Sequence, residues 1–439
     1  MFYKLLLSGI SLLNSAITAR YLGAAGRGHL TLTQTYQTIY SPVVGSFSEY
    51  IPYGINKRKE SPQAAFSTSL FFWMFLTVPL FLAALAFTPW LLEGIKGIEP
   101  WVTRALWVLG VTAPFTMFHV YVTRLMWGMN ELEWLNRLNT VQAFAFCLFL
   151  LVVLLIGPDK NADAATIYMV GAWALSYVAA SMVSAFVIRK LRISIRPRFD
   201  VNIRREMAKF GALLIPANLI NVLNNRIDML IVYFGLSAAS TGEYGIGVTV
   251  AEMLTLVASS ILQVVLTRVS SLDEKDSTQL TARVFRHTGV IVLVSMVFMY
   301  LVMPWVMLVV FGEEYIPSIY NMLILLPGIA LLGMSQVLTA FINNQLGRTK
   351  VTSMLFVTSI LVNLILSALL MPHLGTQGTA VAKSAAYGTI FLASAIYFAK
   401  ATGYPLRKLF RLQPEEIEQY RSVFAKIKAK FNQQQKDQR

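Results

Sequence analysis

The sequence predicts an all-α integral membrane protein, with about twelve transmembrane helices in two pseudo-symmetric six-helix lobes around a central cleft. Three observations carry that prediction. Hydrophobic residues make up 56% of the 439-residue chain and charged residues 13%, about half the charged share of soluble domains. Apolar runs of about 20 residues, enough to cross a bilayer, recur along almost the whole length. A turn of small residues and arginines near the start, Ala19-Arg20-Tyr21-Leu22-Gly23-Ala24-Ala25-Gly26-Arg27-Gly28, returns in related form at Tyr233-Phe234-Gly235-Leu236-Ser237 and Gly242-Glu243-Tyr244.

Hydropathy and helix breakers place the spans at 3–22, 30–54, 66–92, 103–126, 138–157, 165–188, 207–233, 243–268, 284–311, 317–342, 351–371 and 377–400. Lys4 followed by Leu5–Leu13 imitates a signal peptide. Ile17 stands where a cleavage site wants a small residue, so the segment reads as a retained first helix. It is short and polar for a span, which leaves open a start a turn or two upstream of Met1. Connections after even-numbered spans carry the cations: Lys57-Arg58-Lys59, Arg137, the set Arg189 to Arg205, Lys275 with Arg283 and Arg286, and Arg348 with Lys350. Most odd connections are neutral or mildly acidic. The positive-inside rule therefore puts both termini in the cytoplasm. Arg20 and Arg27 break the rule, lying in the first outer loop. An arginine at a span end ordinarily snorkels to a headgroup, but a charge on the wrong side of the topology points to function.

The basic connection divides the chain into an N-terminal lobe at 1–190, a cytoplasmic linker at 191–206, a C-terminal lobe at 207–401 and a basic cytoplasmic tail at 402–439. The halves are weakly similar at an offset of about 212–219 residues: Gly23 aligns with Gly235, and Trp127-Gly128 falls near Leu346-Gly347. Six spans per half give both copies one orientation, a plan typical of alternating access. In the tail, Ile417, Val423, Phe424 and Ile427 are spaced among lysines, which suits either an amphipathic helix on the inner leaflet or a solvated segment.

Polar residues are costly in a span and should face protein or water. At about 100° per residue, Ser8, Ser11, Ser15 and Thr18 share a face of span 1, and Gln34, Gln37, Thr38, Ser41, Gly45 and Ser48 share one of span 2, with Glu49 at its edge. Asn218, Asn221, Asn225 and Asp228 line span 7; Glu252, Thr255, Ser259 and Gln263 line span 8; Thr112, Thr116, His119 and Thr123 form a weaker stripe in span 4. Spans 3, 5, 9 and 11 are nearly featureless and read as lipid-facing walls. Four stripes at equivalent positions of the halves favour a wet central cleft over isolated interhelical hydrogen bonds. Pro42, Pro216, Pro327 and Gly328 interrupt spans 2, 7 and 10 and offer bending points.

Other classes are excluded. The net charge of +15 sits in alternate loops, which suits anionic lipid headgroups and not nucleic acid. Cys147 has no partner for a disulfide or metal, four histidines make no zinc signature, and no P-loop occurs. No cofactor is expected.

The Ala19-Arg20-Tyr21-Leu22-Gly23 turn resembles the first-helix signature of polysaccharide transporters in the multidrug/oligosaccharidyl-lipid/polysaccharide exporter superfamily. So do Asn225-Arg226-Ile227-Asp228 leading to the Gly235 to Tyr244 turn, and Pro372-His373-Leu374-Gly375-Thr376-Gln377-Gly378-Thr379-Ala380 before the last helix. The resemblance covers all twelve spans. It implies a non-enzymatic flippase of a bacterial-type plasma (inner) membrane. Such a protein moves a polyprenyl-pyrophosphate-linked oligosaccharide from the cytoplasmic to the outer leaflet for cell-surface polysaccharide biosynthesis, alongside polymerase and assembly proteins.

The residues suit that substrate, because an unpaired ion in hydrocarbon costs roughly tens of kcal/mol by Born estimates and guanidinium forks match phosphate oxygens. Candidate phosphate contacts are Arg20 and Arg27 at the outer mouth, Arg226 near the cleft, and Arg124, Arg268 and Lys383; Arg124 and Arg268 also read as anchors at the inner boundary. Asn221, Asn225, Gln34 and Gln37 are the candidate sugar contacts. Coupling is expected to a proton or sodium gradient or to the membrane potential. Asp228, Glu252 and Glu49 are the candidate ion sites, and Asp228 reads equally as a salt-bridge partner for Arg226 or a nearby cation. A cation-coupled multidrug antiporter of the same superfamily is the alternative, and it would want a cleft dominated by carboxylates and aromatics, whereas arginines outnumber intramembrane acids here. A membrane-embedded glycosyltransferase or polymerase would bring acidic metal motifs or a large outer loop, and the sequence has neither.

Overall fold

In the computed structural model, residues 2–94, 98–157, 162–196, 200–269, 273–418 and 421 are described. Among them the chain is helical throughout: α1 (Phe2–Ser48), α2 (Tyr50–Lys57), α3 (Pro62–Ala86), α4 (Thr88–Glu93), α5 (Pro100–Gly128), α6 (Leu132–Ile156), α7 (Ala162–Lys190), α8 (Val201–Gly235), α9 (Ala238–Val269), α10 (Glu274–Phe311), a 3₁₀ turn at Glu313–Tyr315, α11 (Ile316–Asn344), α12 (Thr349–Leu374), α13 (Thr376–Thr402) and α14 (Leu406–Phe410). Ten of these are long and apolar enough to cross a membrane. The two arms of α1 complete the twelve. They are more polar because their polar faces, Asn14, Ser15, Thr18, Arg27, Thr31 and Gln37 among them, are buried against protein.

The first two spans form one bent helix, where the sequence suggested a turn over 23–29. A single residue, Gly23 at φ 64° and ψ −178°, breaks the helical path. A side chain would be strained in that conformation, so glycine alone permits so short a bend. The second span ends earlier than hydropathy suggested: Glu49 separates α1 from α2. The seventh begins earlier, at Val201, because Asp200 accepts the Asn202 and Ile203 N–H groups and caps the helix. Pro42, Pro216 and Pro327 lie inside continuous helices, and the Leu323 carbonyl that Pro327 leaves free accepts from Tyr300 on α10 at 2.6 Å. Of the tail, α14 docks through buried Leu409, and Ile417 is exposed. Val423, Phe424 and Ile427 lie outside the described residues.

The contact pattern repeats between halves. In the first, α5 packs on α3, α7 and the second arm of α1, and α6 packs on α7; in the second, α11 packs on α10, α13 and α9, and α12 packs on α13. The outward helices are the featureless ones, exposing Phe75 on α3, Leu155 on α6, Trp305 on α10 and Met354 on α12. The halves meet chiefly where α1 runs along α8 and α9.

Antiparallel traversal gives the molecule a kink end, holding the α1 bend with the α8–α9 and α10–α11 junctions, and a linker end, holding the α7–α8 connection. At the kink end the two halves cap one another. Glu314 Oε1 accepts the Ala24 N–H at 2.8 Å, Tyr315 Oη donates to the Ala19 carbonyl at 3.1 Å, and Arg20 donates to the Val309 and Val310 carbonyls that end α10. These bonds satisfy helix-terminal groups that otherwise lack partners. Gly28 lies against the Ala238 carbonyl and Gly242 against that of Ala24, contacts that no Cβ could enter. Beside them, Tyr233 donates to Glu99 at 2.9 Å and so accepts from His29 Nδ1 at 2.9 Å. His29 also stacks on Trp101.

Candidate functional site

Three polar cavities run side by side across the seam. The first, of about 320 Å³, lies among α1, α6 and α7 and is closed by α8 and α9. The second, of about 300 Å³, lies among α8, α11 and α12. The third, of about 330 Å³, lies between them. Arg226 and Thr38 border both the first and the third; Asn225 and Gln336 border both the second and the third.

The first cavity brings cations from both halves to one place. Arg27, only 6% exposed, reaches back across the bend: Nη1 donates to Thr18 Oγ1 at 3.1 Å and Nη2 to Ser15 Oγ at 3.4 Å. Its buried Nε has no partner among the described residues. Arg226 enters from α8. Asn14, Gln34, Gln37 and Gln142 supply amides and Trp173 and Tyr177 aromatic rings, and none of the described lining residues is acidic. Three of the amides are oriented by protein: Asn14 donates to the Ala143 carbonyl at 3.0 Å, Gln37 to Thr116 Oγ1 at 2.8 Å and Gln142 to Ser176 Oγ at 3.0 Å. In the third cavity Arg226 donates to Glu252 at 3.1 Å. In the second, Asn225 Nδ2 donates to Asn221 Oδ1 at 3.0 Å, while Asn225 Oδ1 accepts from Tyr387 at 3.3 Å.

The structure thus brings seven of the sequence-derived candidates onto these linings: Arg27, Gln34, Gln37, Arg226, Asn221, Asn225 and Glu252. Others stand elsewhere. Arg20 is exposed at the kink end and engaged with α10. Lys383 and Asp228 pair with each other at 2.8 Å, both fully buried, and Lys383 also donates to the Asn225 carbonyl at 3.1 Å. Arg124 pairs with Glu49 at 3.2 Å and lies over Trp127; Asn218 donates to the same Glu49 oxygen at 3.4 Å, joining α8 to the first half. The Arg268 side chain lies outside the described residues.

Sequence reading missed Asn14, Gln142, Trp173 and Tyr177. Asn14 adjoins the Ser8 to Thr18 stripe, so a wider face would have included it. Trp173 and Tyr177 carry no such signal, since aromatic residues in an apolar span look like lipid contacts.

Comparison with known proteins bears on this arrangement. A family model described as "Polysaccharide biosynthesis protein" matches residues 162–320. No curated protein matches. Among solved structures, the lipid II flippase MurJ in an inward closed conformation superposes with a TM-score of 0.72 at 14% identity, covering 93% of this chain and 88% of that one. An inward-facing multidrug resistance MATE transporter of the MOP superfamily gives 0.68 at 14% identity, over 90% and 96%. The MATE multidrug transporter DinF-BH gives 0.66 at 15% identity, over 94% of each. The chain has the MOP exporter fold. The fold implied by the resemblance read from the sequence is borne out, and the molecule is a multi-pass membrane protein.

Proposed function

We propose that this protein is a flippase for a polyprenyl-pyrophosphate-linked oligosaccharide, moving it from the cytoplasmic to the outer leaflet by alternating access, with no catalysis of its own. The carrying observation is the first cavity, where Arg27 and Arg226 approach from opposite halves with no lining carboxylate among the described residues. Two guanidinium groups suit a pyrophosphate, each binding two oxygens at once. The amides of Gln34, Gln37 and Gln142 then meet sugar hydroxyls, and Trp173 and Tyr177 the apolar faces of the rings. With both termini cytoplasmic, the kink end faces outward, and the cross-half caps hold the outer gate shut while the headgroup loads. An inside-negative potential favours an outward-moving anion by ~2.3 kcal/mol per charge per 100 mV. Polymerase or assembly proteins would receive the product on the outer face.

The rival reading is a cation-coupled multidrug antiporter of the same fold, and Glu252 in the third cavity is the observation that favours it. Reconstitution separates the two. Proteoliposomes should scramble a short-chain fluorescent polyprenyl-pyrophosphate-sugar, measured by quenching of the outer leaflet, and Arg27→Ala or Arg226→Ala should slow this at least tenfold. Transport of organic cations without lipid movement would establish the antiporter instead.

A further inference from the structure

We propose that Glu252 is a built-in competitor for the substrate phosphate at Arg226, so that the anion binds only by parting this ion pair and Glu252 sets how tightly it is held. This rests on reading the first cavity as the pyrophosphate site.

Arg226 is one residue shared by two cavities. Toward the first it faces a lining without acids; toward the third its Nη2 donates to Glu252 Oε2 at 3.1 Å. The two side chains are 31% and 28% exposed, wet enough for a ligand to reach and dry enough for the pair to matter. The surrounding groups fix what happens when the pair parts. Asp228, on the same helix as Arg226, is already neutralised by Lys383 from α13 in a fully buried pair, and that lysine is held by the Asn225 carbonyl as well. Lys383 is therefore not at hand to replace Arg226. Tyr387 on α13 donates to Asn225, and Tyr244 on α9 is buried. The remaining neighbours of the third cavity, Thr38 on α1, Val222 on α8, Thr255 on α9 and Ile329, Leu332 and Gln336 on α11, carry no charge.

A pyrophosphate that draws the guanidinium toward the first cavity leaves the Glu252 carboxylate without its cation, half-buried, and beside new negative charge. The cost of stranding that carboxylate is subtracted from the affinity of the anion site and recovered when the anion leaves and Arg226 pairs again.

The test is calorimetric titration of the purified full-length protein in nanodiscs with inorganic pyrophosphate. Glu252→Gln should bind about tenfold tighter than wild type. Equal affinities in wild type and Glu252→Gln, both abolished by Arg226→Ala, would overturn the competitor role while leaving the anion site intact. If neither wild type nor Glu252→Gln binds pyrophosphate, the anion reading fails and this inference with it. Glu252→Asp guards against a non-specific effect of substitution: it keeps the carboxylate and should bind like wild type, and equally tighter binding by both variants would contradict the proposal.

Discussion

Glu314 caps Ala24: its carboxylate accepts the first free N–H after the α1 bend at 2.8 Å, although the two residues belong to opposite halves of the chain. A helix terminus that normally finds its cap one or two residues away finds it here 290 positions on. The cap exists only while the halves touch. That makes it a closure bond.

Removing it should open the kink end. A helix N-cap is worth about 1 kcal/mol, roughly a fivefold shift in a two-state equilibrium. Spin labels at Ala25→Cys and Ser237→Cys, both exposed in the native structure, in a Cys147→Ser background, should report a longer-distance population on adding Glu314→Ala. An unchanged distance distribution would remove Glu314 from the gate.

The Asp228–Lys383 pair should behave as a structural clamp between α8 and α13. Both side chains are fully buried, so a single replacement strands a charge. Lys383→Met or Asp228→Asn alone should destabilise by about 3–5 kcal/mol, and the double variant should recover most of that loss. Thermal unfolding in detergent measures this. A single variant that melts like wild type would point to an exchangeable ion site instead.

The docked tail should be acid-sensitive. Burial alone would raise the Glu416 pKa, but hydrogen bonds from Arg286 and the Gln413 N–H outweigh it and hold the carboxyl below its ordinary range. Arg286 donates to both carboxylate oxygens, at 2.8 and 2.7 Å. A depressed folded pKa gives stabilisation that is complete above the unfolded value of about 4.3 and lost as pH falls through the folded one. Hydrogen-exchange protection of 404–418 should therefore hold at neutral pH and fall in acid. Glu416→Gln should be unprotected at pH 7, losing about 1.5–3 kcal/mol, with no further acid loss. Equal protection in both proteins at pH 7 would refute the clamp.

Much of this was legible in the sequence because membrane solvation leaves few choices. A polar face on an apolar span must turn to protein or water, so the stripes at Ser15, Thr18, Gln34 and Gln37, and again at Asn221, Asn225 and Glu252, announced the seam. Asp228 was readable as a salt-bridge residue, but its partner was not, since Lys383 lies 155 positions away and pairing depends on how α8 meets α13. Arg20 and Arg27 looked alike in sequence, close together in one turn. The bend at Gly23 separates them: Arg27 turns back into the cavity, and Arg20 turns out to the carbonyls of α10. Glu314 carried no signal, because an acid in a short loop looks solvated until the opposite half supplies the N–H it accepts.

The central claim is tested most directly in cells lacking the gene, by extracting lipid-linked oligosaccharides and quantifying them by mass spectrometry. Intact repeat units should accumulate on their carrier. Wild type should relieve this; Arg27→Ala and Arg226→Ala, expressed at equal level, should not. No accumulation in the deletion, with increased sensitivity to cationic dyes in its place, would contradict the flippase account and favour the antiporter.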